Sequence, residues 1–280
     1  MTVTKVVELE ATGGMRFVLP QATRDAVAGM TWLRPSFMTD EGRLKSSVHA
    51  LVVETPTRRI VVDTGLGNGK QGRAVPPWNG LDLPFLDDLA AAGYPPESID
   101  TVVCTHLHVD HVGWNTRLDD GGHWVPTFPN ARYLFVREEF AHWRSVAAAE
   151  PDGERAAVFA DSVRPVDDAG LVDLVGADHA VCDEVRLVPT TGHTPGHASV
   201  LITSGGEEAL ITGDFLHHPC QFARPDWAAT PDWDAEMSTR TRNEAFARLA
   251  NRGTLVIGTH FADPSSGHVV RDGDAFRLEA

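Results

Sequence analysis

The sequence predicts a mixed α/β (α+β) fold, a sandwich of β-sheets covered by helices. Three observations predict it. Short apolar runs rich in β-formers recur along the 280 residues, most of them bounded by Gly, Pro, Asp or Asn. Helical patterns fall between several of these runs. Some neighbouring runs are close enough to pair as hairpins, so antiparallel pairs are mixed with longer connections.

Residues 48–53 and 59–63 read as two strands joined by a turn over 55–58. Residues 65–80, rich in Gly and Pro, read as a long surface loop. A helix is expected over 84–92, with Phe85, Leu86 and Leu89 on one face. The strand at 101–105 runs straight into a histidine-rich loop. Strand 132–136 precedes a helix over 137–149 that is interrupted before Pro151. Strands follow at 185–190, 199–202 and 209–212. A helix over 234–251 is capped by Asp234 and stopped at Gly253, and a strand occupies 254–258. Residues 268–278, with Asp272-Gly273 near their centre, read as a closing hairpin. There is no repeat, low-complexity tract or evident linker. One domain over residues 1–280 is expected, with residues 1–47 as an N-terminal arm. Such an arm is suited to form a lid or to pack across a partner subunit, which leaves a homodimer as one option.

Hydrophobic residues make up 42% of the chain, enough for a substantial core. The net charge of −15 disfavours non-specific contact with nucleic acid or anionic membranes. Residues 1–10 carry charge early and resemble no signal peptide. No stretch approaches the ~20 apolar residues of a membrane span. The three cysteines, Cys104, Cys182 and Cys220, are far apart and odd in number, which suggests reduced thiols and a cytoplasmic protein. A small molecule is the expected partner.

The chemistry concentrates in Thr105-His106-Leu107-His108-Val109-Asp110-His111, directly after an apolar strand. Imidazole suits zinc and other borderline metals, and carboxylate can ligate or bridge. Four donors within six residues exceed what one tetrahedral ion can take from a single loop. They make sense shared between two ions completed from elsewhere. Three candidates to complete them each follow an apolar run: His193 in Gly192-His193-Thr194-Pro195-Gly196-His197, Asp214 in Thr212-Gly213-Asp214, and His260 in Gly258-Thr259-His260. Strand ends are where a rigid scaffold carries functional loops. Cysteine is absent from the set, unlike most closed structural zinc sites.

These motifs, in this order, resemble those of the metallo-β-lactamase superfamily, and the likeness spans roughly residues 48–261. Asp63, in Val61-Val62-Asp63-Thr64-Gly65, matches that family's Asp-x-Gly element. The resemblance implies a four-layer αββα sandwich with the metals at one edge. It implies that His106, His108 and His193 bind one ion, that Asp110, His111 and His260 bind the other, and that Asp214 bridges both. The cofactors are then two divalent metal ions, zinc first, with manganese, iron or cobalt as alternatives.

Two cations ~3.5–4 Å apart can lower the pKa of a shared water towards ~7, giving hydroxide that attacks an ester or lactone. Asp110 can orient that nucleophile. Asp63 is expected to hold ligand histidines in the right tautomer. His217, three residues after Asp214, lies where lactone-hydrolysing relatives can carry a tyrosine. It is expected either to contact the oxyanion or protonate a leaving alkoxide, or only to line the pocket. His197 is expected to buttress the His193 loop, and His218 to be exposed. Trp32, Phe37, Met38, Trp114, Phe222, Trp227, Trp233 and Phe261 offer material for an apolar substrate wall or for the core. The resemblance favours the lactonase and organophosphate-hydrolase branch. Thioester hydrolysis of the glyoxalase II type, phosphodiester cleavage and mononuclear iron dioxygenase chemistry are the alternatives.

Overall fold

The computed structural model describes residues 1–280. The chain falls into two compact units, Met1–Glu8 with Val48–Gly176, and Leu9–Ser47 with Ala177–Ala280. The segment expected as one arm is therefore divided between them. Its first part is a strand, β1 (Thr2–Thr12), although the early charges had concealed any strand pattern.

The first unit is built on a six-stranded sheet. To β1 it adds β2 (Lys45–Glu54), β3 (Arg59–Val62) and β4 (Thr101–Val103), then, past a small β5–β6 hairpin (Thr116–Leu118 and Trp124–Pro126), β7 (Arg132–Val136) and β8 (Val172–Val175). The order is β1-β2-β3-β4-β7-β8. β2 and β3 pair antiparallel, with Leu51 opposite Val62, as the predicted hairpin requires. From β3 onward the strands are parallel, with Val62 beside Val103. Both faces are covered, so these strands read as unbroken Val-rich runs. Helix α1 (Phe85–Ala91) buries Phe85 and Leu89 as expected. Helix α2 (Arg137–Ala149) buries Phe140, Trp143 and Ala147, and has the length that its sequence predicts. Both join one core with Val61, Val102, Tyr133 and Phe135.

The second unit carries a sheet of six further strands: β9 (Val185–Pro189), β10 (Ala198–Ser204), β11 (Glu207–Ile211), β12 (Leu255–Ile257), β13 (Ser266–Asp272) and β14 (Ala275–Glu279). Their order is the reverse of the chain's, β14 to β9. β11 and β12 are parallel, with Ile211 beside Ile257. Helix α3 (Ala235–Leu249) starts where predicted, since Asp234 accepts a hydrogen bond from Met237 N at 2.9 Å. Phe246 packs into a core with Phe37, Met38, Phe222, Trp227 and Phe261. The closing hairpin is β13–β14, with Asp272 opposite Ala275. No helix is long and apolar enough to cross a membrane.

The loop after β3 departs from the surface reading. Lys70 is fully buried, and Arg73 nearly so. Both reach Asp161, in a π-helical turn (Phe159–Val163) that the sequence pattern did not reveal. Arg73 Nη2 lies 2.9 Å from Asp161 Oδ1. Lys70 Nζ donates to Thr116 Oγ1 at 2.6 Å and to the Asp161 carbonyl at 3.0 Å, and lies 3.6 Å above the Trp124 ring. Two buried cations share one carboxylate. Burial, with Arg73 adding to it against the pull of Asp161, pushes the Lys70 amine down to about 7. Between that value and the ordinary 10.5 the folded chain holds fewer protons at this site than the unfolded chain. Stability from Lys70 is thus highest above the window, falls as pH drops through it and levels off below it. The urea midpoint of the wild type should rise between about pH 7 and about pH 9, relative to that of Lys70→Met. Identical pH slopes in the two proteins would contradict this account.

Candidate metal centre

In the first unit, the parallel register that sets Val62 beside Val103 brings the ends of β3 and β4 together. Asp63 leaves β3 with a φ of 56°. It receives the Thr105 amide at 2.8 Å on Oδ1 and the Thr105 hydroxyl at 2.8 Å on Oδ2. That hydroxyl has spent its proton, so it accepts from His106 Nδ1 at 3.0 Å. His111 Nδ1 donates to Asp63 Oδ2 at 2.8 Å. One carboxylate therefore fixes two imidazoles, one directly and one through Thr105, as expected of Asp63. Helix α2 grips the same run, because Glu139 Oε1 accepts from Leu107 N at 3.0 Å and from Trp143 Nε1 at 2.6 Å. Their Nε2 atoms are left to present lone pairs: that of His106 faces His108 Nδ1 at 3.0 Å, and that of His111 lies 3.8 Å from Asp110 Oδ1.

In the second unit, His193, Asp214 and His260 leave the same sheet edge, past the ends of β9, β11 and β12. Gly192 precedes His193 at a φ of +127°, and a Cβ there would meet Ser238 N at 2.3 Å. The loop lies flat on the first turn of α3, which accounts for the Gly-His pair. His193 Nδ1 donates to Asp232 Oδ1 at 2.8 Å, and His260 Nδ1 to the Ser47 carbonyl at 3.2 Å. Their Nε2 atoms then face the two oxygens of Asp214, His193 at 3.6 Å from Oδ2 and His260 at 3.2 Å from Oδ1. His197 accepts the Asp214 amide on Nε2 at 2.7 Å and donates to the Thr190 carbonyl at 3.0 Å. It thus ties the strand end before His193 to Asp214, the buttressing role expected of it.

His217 joins this group. Its Nε2 is 3.3 Å from Asp214 Oδ2, and donor atoms of His193, Asp214 and His217 lie within 4.8 Å of one another. Apart from this approach to Asp214, neither ring nitrogen has a hydrogen-bond partner, although the residue is buried. Burial holds its pKa below the ordinary value, with Asp214 opposing. His218 corrects the sequence reading. It is wholly buried, not exposed, donating from Nε2 to the Phe37 carbonyl and accepting the Cys220 amide on Nδ1, both at 3.0 Å. Burial brings its pKa to about 4, so it is a neutral structural histidine.

Asp232 had no signal in the sequence beyond a carboxylate between Pro231 and Trp233. Burial acts to raise its pKa, but the bond to His193 and the nearby imidazoles prevail and hold it below the usual carboxylate value. Of the aromatic residues considered for a substrate wall, Phe37, Phe222, Trp227 and Phe261 are core, as is Met38, and Trp114 is buried in the first unit's core. Trp32 packs partly buried against the core, while Trp233 is 55% exposed.

The donor chemistry fits divalent metal. A carbonyl or carboxylate behind an imidazole fixes the proton on that side and leaves the other nitrogen as a lone pair. His260 shows the consequence most directly, since a lone pair and a carboxylate oxygen meet at 3.2 Å. Two acceptors at that separation repel unless a cation or proton lies between them. Neutral nitrogen with carboxylate oxygen is also the donor mixture that zinc and similar ions accept.

The family model described as "Metallo-beta-lactamase superfamily" matches residues 44–260. A probable metallo-hydrolase of Mycobacterium tuberculosis is 30% identical over 190 residues, 61% of this chain and 57% of that protein. The chain thus spans little more than half the length of that relative. An N-acyl homoserine lactonase from a Bacillus species is 28% identical over 192 residues, 64% of this chain and 68% of its own. Among solved structures, AidC, described as a dizinc quorum-quenching lactonase, superposes with a TM-score of 0.77 at 18% identity. That superposition covers 99% of this chain and 92% of AidC. A mixed α/β fold of this type, matched over most of its length by the family model, makes the chain a member of the metallo-β-lactamase superfamily.

Proposed function

We propose that the protein is a dinuclear metal-dependent hydrolase that opens an ester or lactone bond in a small, partly apolar molecule. The observation that carries this reading is the set of imidazoles whose rear nitrogens are each held by an acceptor. In the ligand assignment that the family implies, His106, His108 and His193 hold one ion and Asp110, His111 and His260 the other. Asp214 suits the bridging role, as its two oxygens already address different histidines. Zinc is the first expectation, in line with the dizinc relative. When bound, two such ions supply a water acidified towards neutrality and polarise the acyl oxygen.

The chain's own residues do the rest. Asp63, Asp232 and the Ser47 carbonyl keep the ligand tautomers fixed, so no proton need move on binding. Asp110 orients the attacking water through its second oxygen. His217, beside Asp214 and otherwise without a hydrogen-bond partner, is placed to hand a proton to the leaving alkoxide. Water adds to the acyl carbon and the acyl C–O bond breaks, giving a hydroxy acid from a lactone, or an acid and an alcohol from an ester. The lactonase relative supports lactone as the substrate class. Free thiols at Cys104, Cys182 and Cys220 support a cytoplasmic setting.

Elemental analysis should find about two divalent ions per chain. Lactones or aryl esters should be hydrolysed in preference to thioesters and phosphodiesters. His106→Ala and Asp214→Asn should each lower kcat/KM by at least about 100-fold while the circular dichroism spectrum is kept. Full activity in both variants would defeat the site, and a single iron with oxygen uptake would replace hydrolysis by dioxygenase chemistry. For His217→Ala, a fall of about 10–100-fold in kcat with little change in KM is expected from steady-state kinetics. An unchanged kcat would reduce His217 to a pocket wall.

A further inference from the structure

One buried carboxylate has no place in the ligand set. Glu8, on β1, is 8% exposed and sits among three N–H donors of the first unit. Its Oε2 accepts the Leu66 amide at 2.6 Å, and its Oε1 accepts the Gly67 amide at 2.9 Å and Trp114 Nε1 at 2.7 Å. The approach is so close that a Cβ on Gly65 would lie 2.2 Å from Oε2. Burying a charged group costs several kcal/mol unless its surroundings answer it. No cationic side chain answers Glu8 here; three N–H groups do.

What those groups belong to gives the carboxylate a purpose. Leu66 and Gly67 continue the loop that carries Asp63, and Trp114 lies in the turn (Gly113–Asn115) that follows His111. The two loops are already stitched together. Thr64 N donates to the His111 carbonyl at 2.8 Å, Gly113 N to the Gly65 carbonyl at 2.7 Å, and Trp114 N to the Thr64 carbonyl at 2.8 Å. Glu8 closes the far end of this seam, and Trp114 in turn stacks on Phe85 of α1 at 5.4 Å between centroids. We infer that Glu8 is a positioning residue for the metal centre: a clamp from the N-terminal strand that sets the Asp63–His111 pair and, through it, the ligand run. This rests on the proposed metal site, and goes beyond it in assigning the first strand a share in metal affinity.

The side-chain chemistry grades the test. Glutamine at position 8 offers one acceptor oxygen and an amide that faces a donor, so Glu8→Gln keeps part of the clamp. Glu8→Ala keeps none. Trp114→Phe removes one donor and leaves an aromatic ring against Phe85. Zinc affinity is read by competition with a chromogenic chelator, on protein shown to be folded by circular dichroism. Glu8→Ala should bind zinc about tenfold more weakly than wild type, with Glu8→Gln and Trp114→Phe in between. A lower melting temperature with an unshifted chelator curve would show a purely structural carboxylate and overturn the inference. If Glu8→Ala does not fold, Trp114→Phe decides, and a curve superposing on wild type overturns it. Wild-type protein that takes up no zinc would defeat the metal site and the clamp together. Wild-type protein that binds zinc tightly but hydrolyses no ester or lactone would defeat the proposed reaction alone.

Discussion

An imidazole can offer a metal only the nitrogen that carries no proton, and the surroundings of four histidines of this chain fit that constraint. Asp63 holds His111 and, through Thr105, His106; Asp232 holds His193; the Ser47 carbonyl holds His260. Each partner sits on the far side of its ring and fixes the proton there. Nothing of this is a property of the histidine alone. Moving any one partner would let the ring turn or change tautomer, and the donor would be lost with the residue still in place.

The sheets are what make such partners dependable. In the first unit the parallel pairing of β3 and β4 sets the exits of two loops side by side, so Asp63 meets Thr105 as a consequence of register. In the second unit the parallel pairing of β11 and β12 does the same for Asp214 and His260, each three residues past a paired isoleucine. A slip of one residue in either pair would turn the strand's other face to the core. The cost of exposing Val62, Val103, Ile211 and Ile257, all nearly fully buried, is what holds the donors in register. Core packing and site geometry are thus one constraint expressed at two places.

The candidate donors stood out in the sequence because each stands just beyond an apolar run and because histidine so dense has few other uses. Helix α2, helix α3 with its Asp234 cap and the closing hairpin were legible for the same local reasons. What stayed hidden depends on contacts distant in sequence. Asp232 means nothing until a loop brings it to His193, 39 residues earlier. Strand β1 was masked by charges that proved to be partly buried, Glu8 among them. Lys70 and Arg73, in a stretch with the composition of a surface loop, are buried only because Asp161 waits for them 91 and 88 residues later. His218 likewise looks like a surface residue until the Phe37 carbonyl is seen beside it. Local pattern reports which side chains are apolar; it cannot report which polar ones will find a partner.

Charge gives the last step. Asp63, Asp214 and Asp232 are almost completely buried, and Asp110 largely so, with side-chain exposures of 2%, 5%, 0% and 18%. The ion pairs of these four include His111 with Asp63 and with Asp110, His193, His217 and His260 with Asp214, and His193 with Asp232. Carboxylates withdrawn from water lose hydration, at a cost of several kcal/mol each. Protonating the imidazoles would answer some of that charge, but it would occupy the nitrogens on the side away from the rear acceptors. Bound divalent metal would supply positive charge without using a proton. The fold therefore buries negative charge that bound metal would offset, and stability and metal affinity should be coupled in this protein.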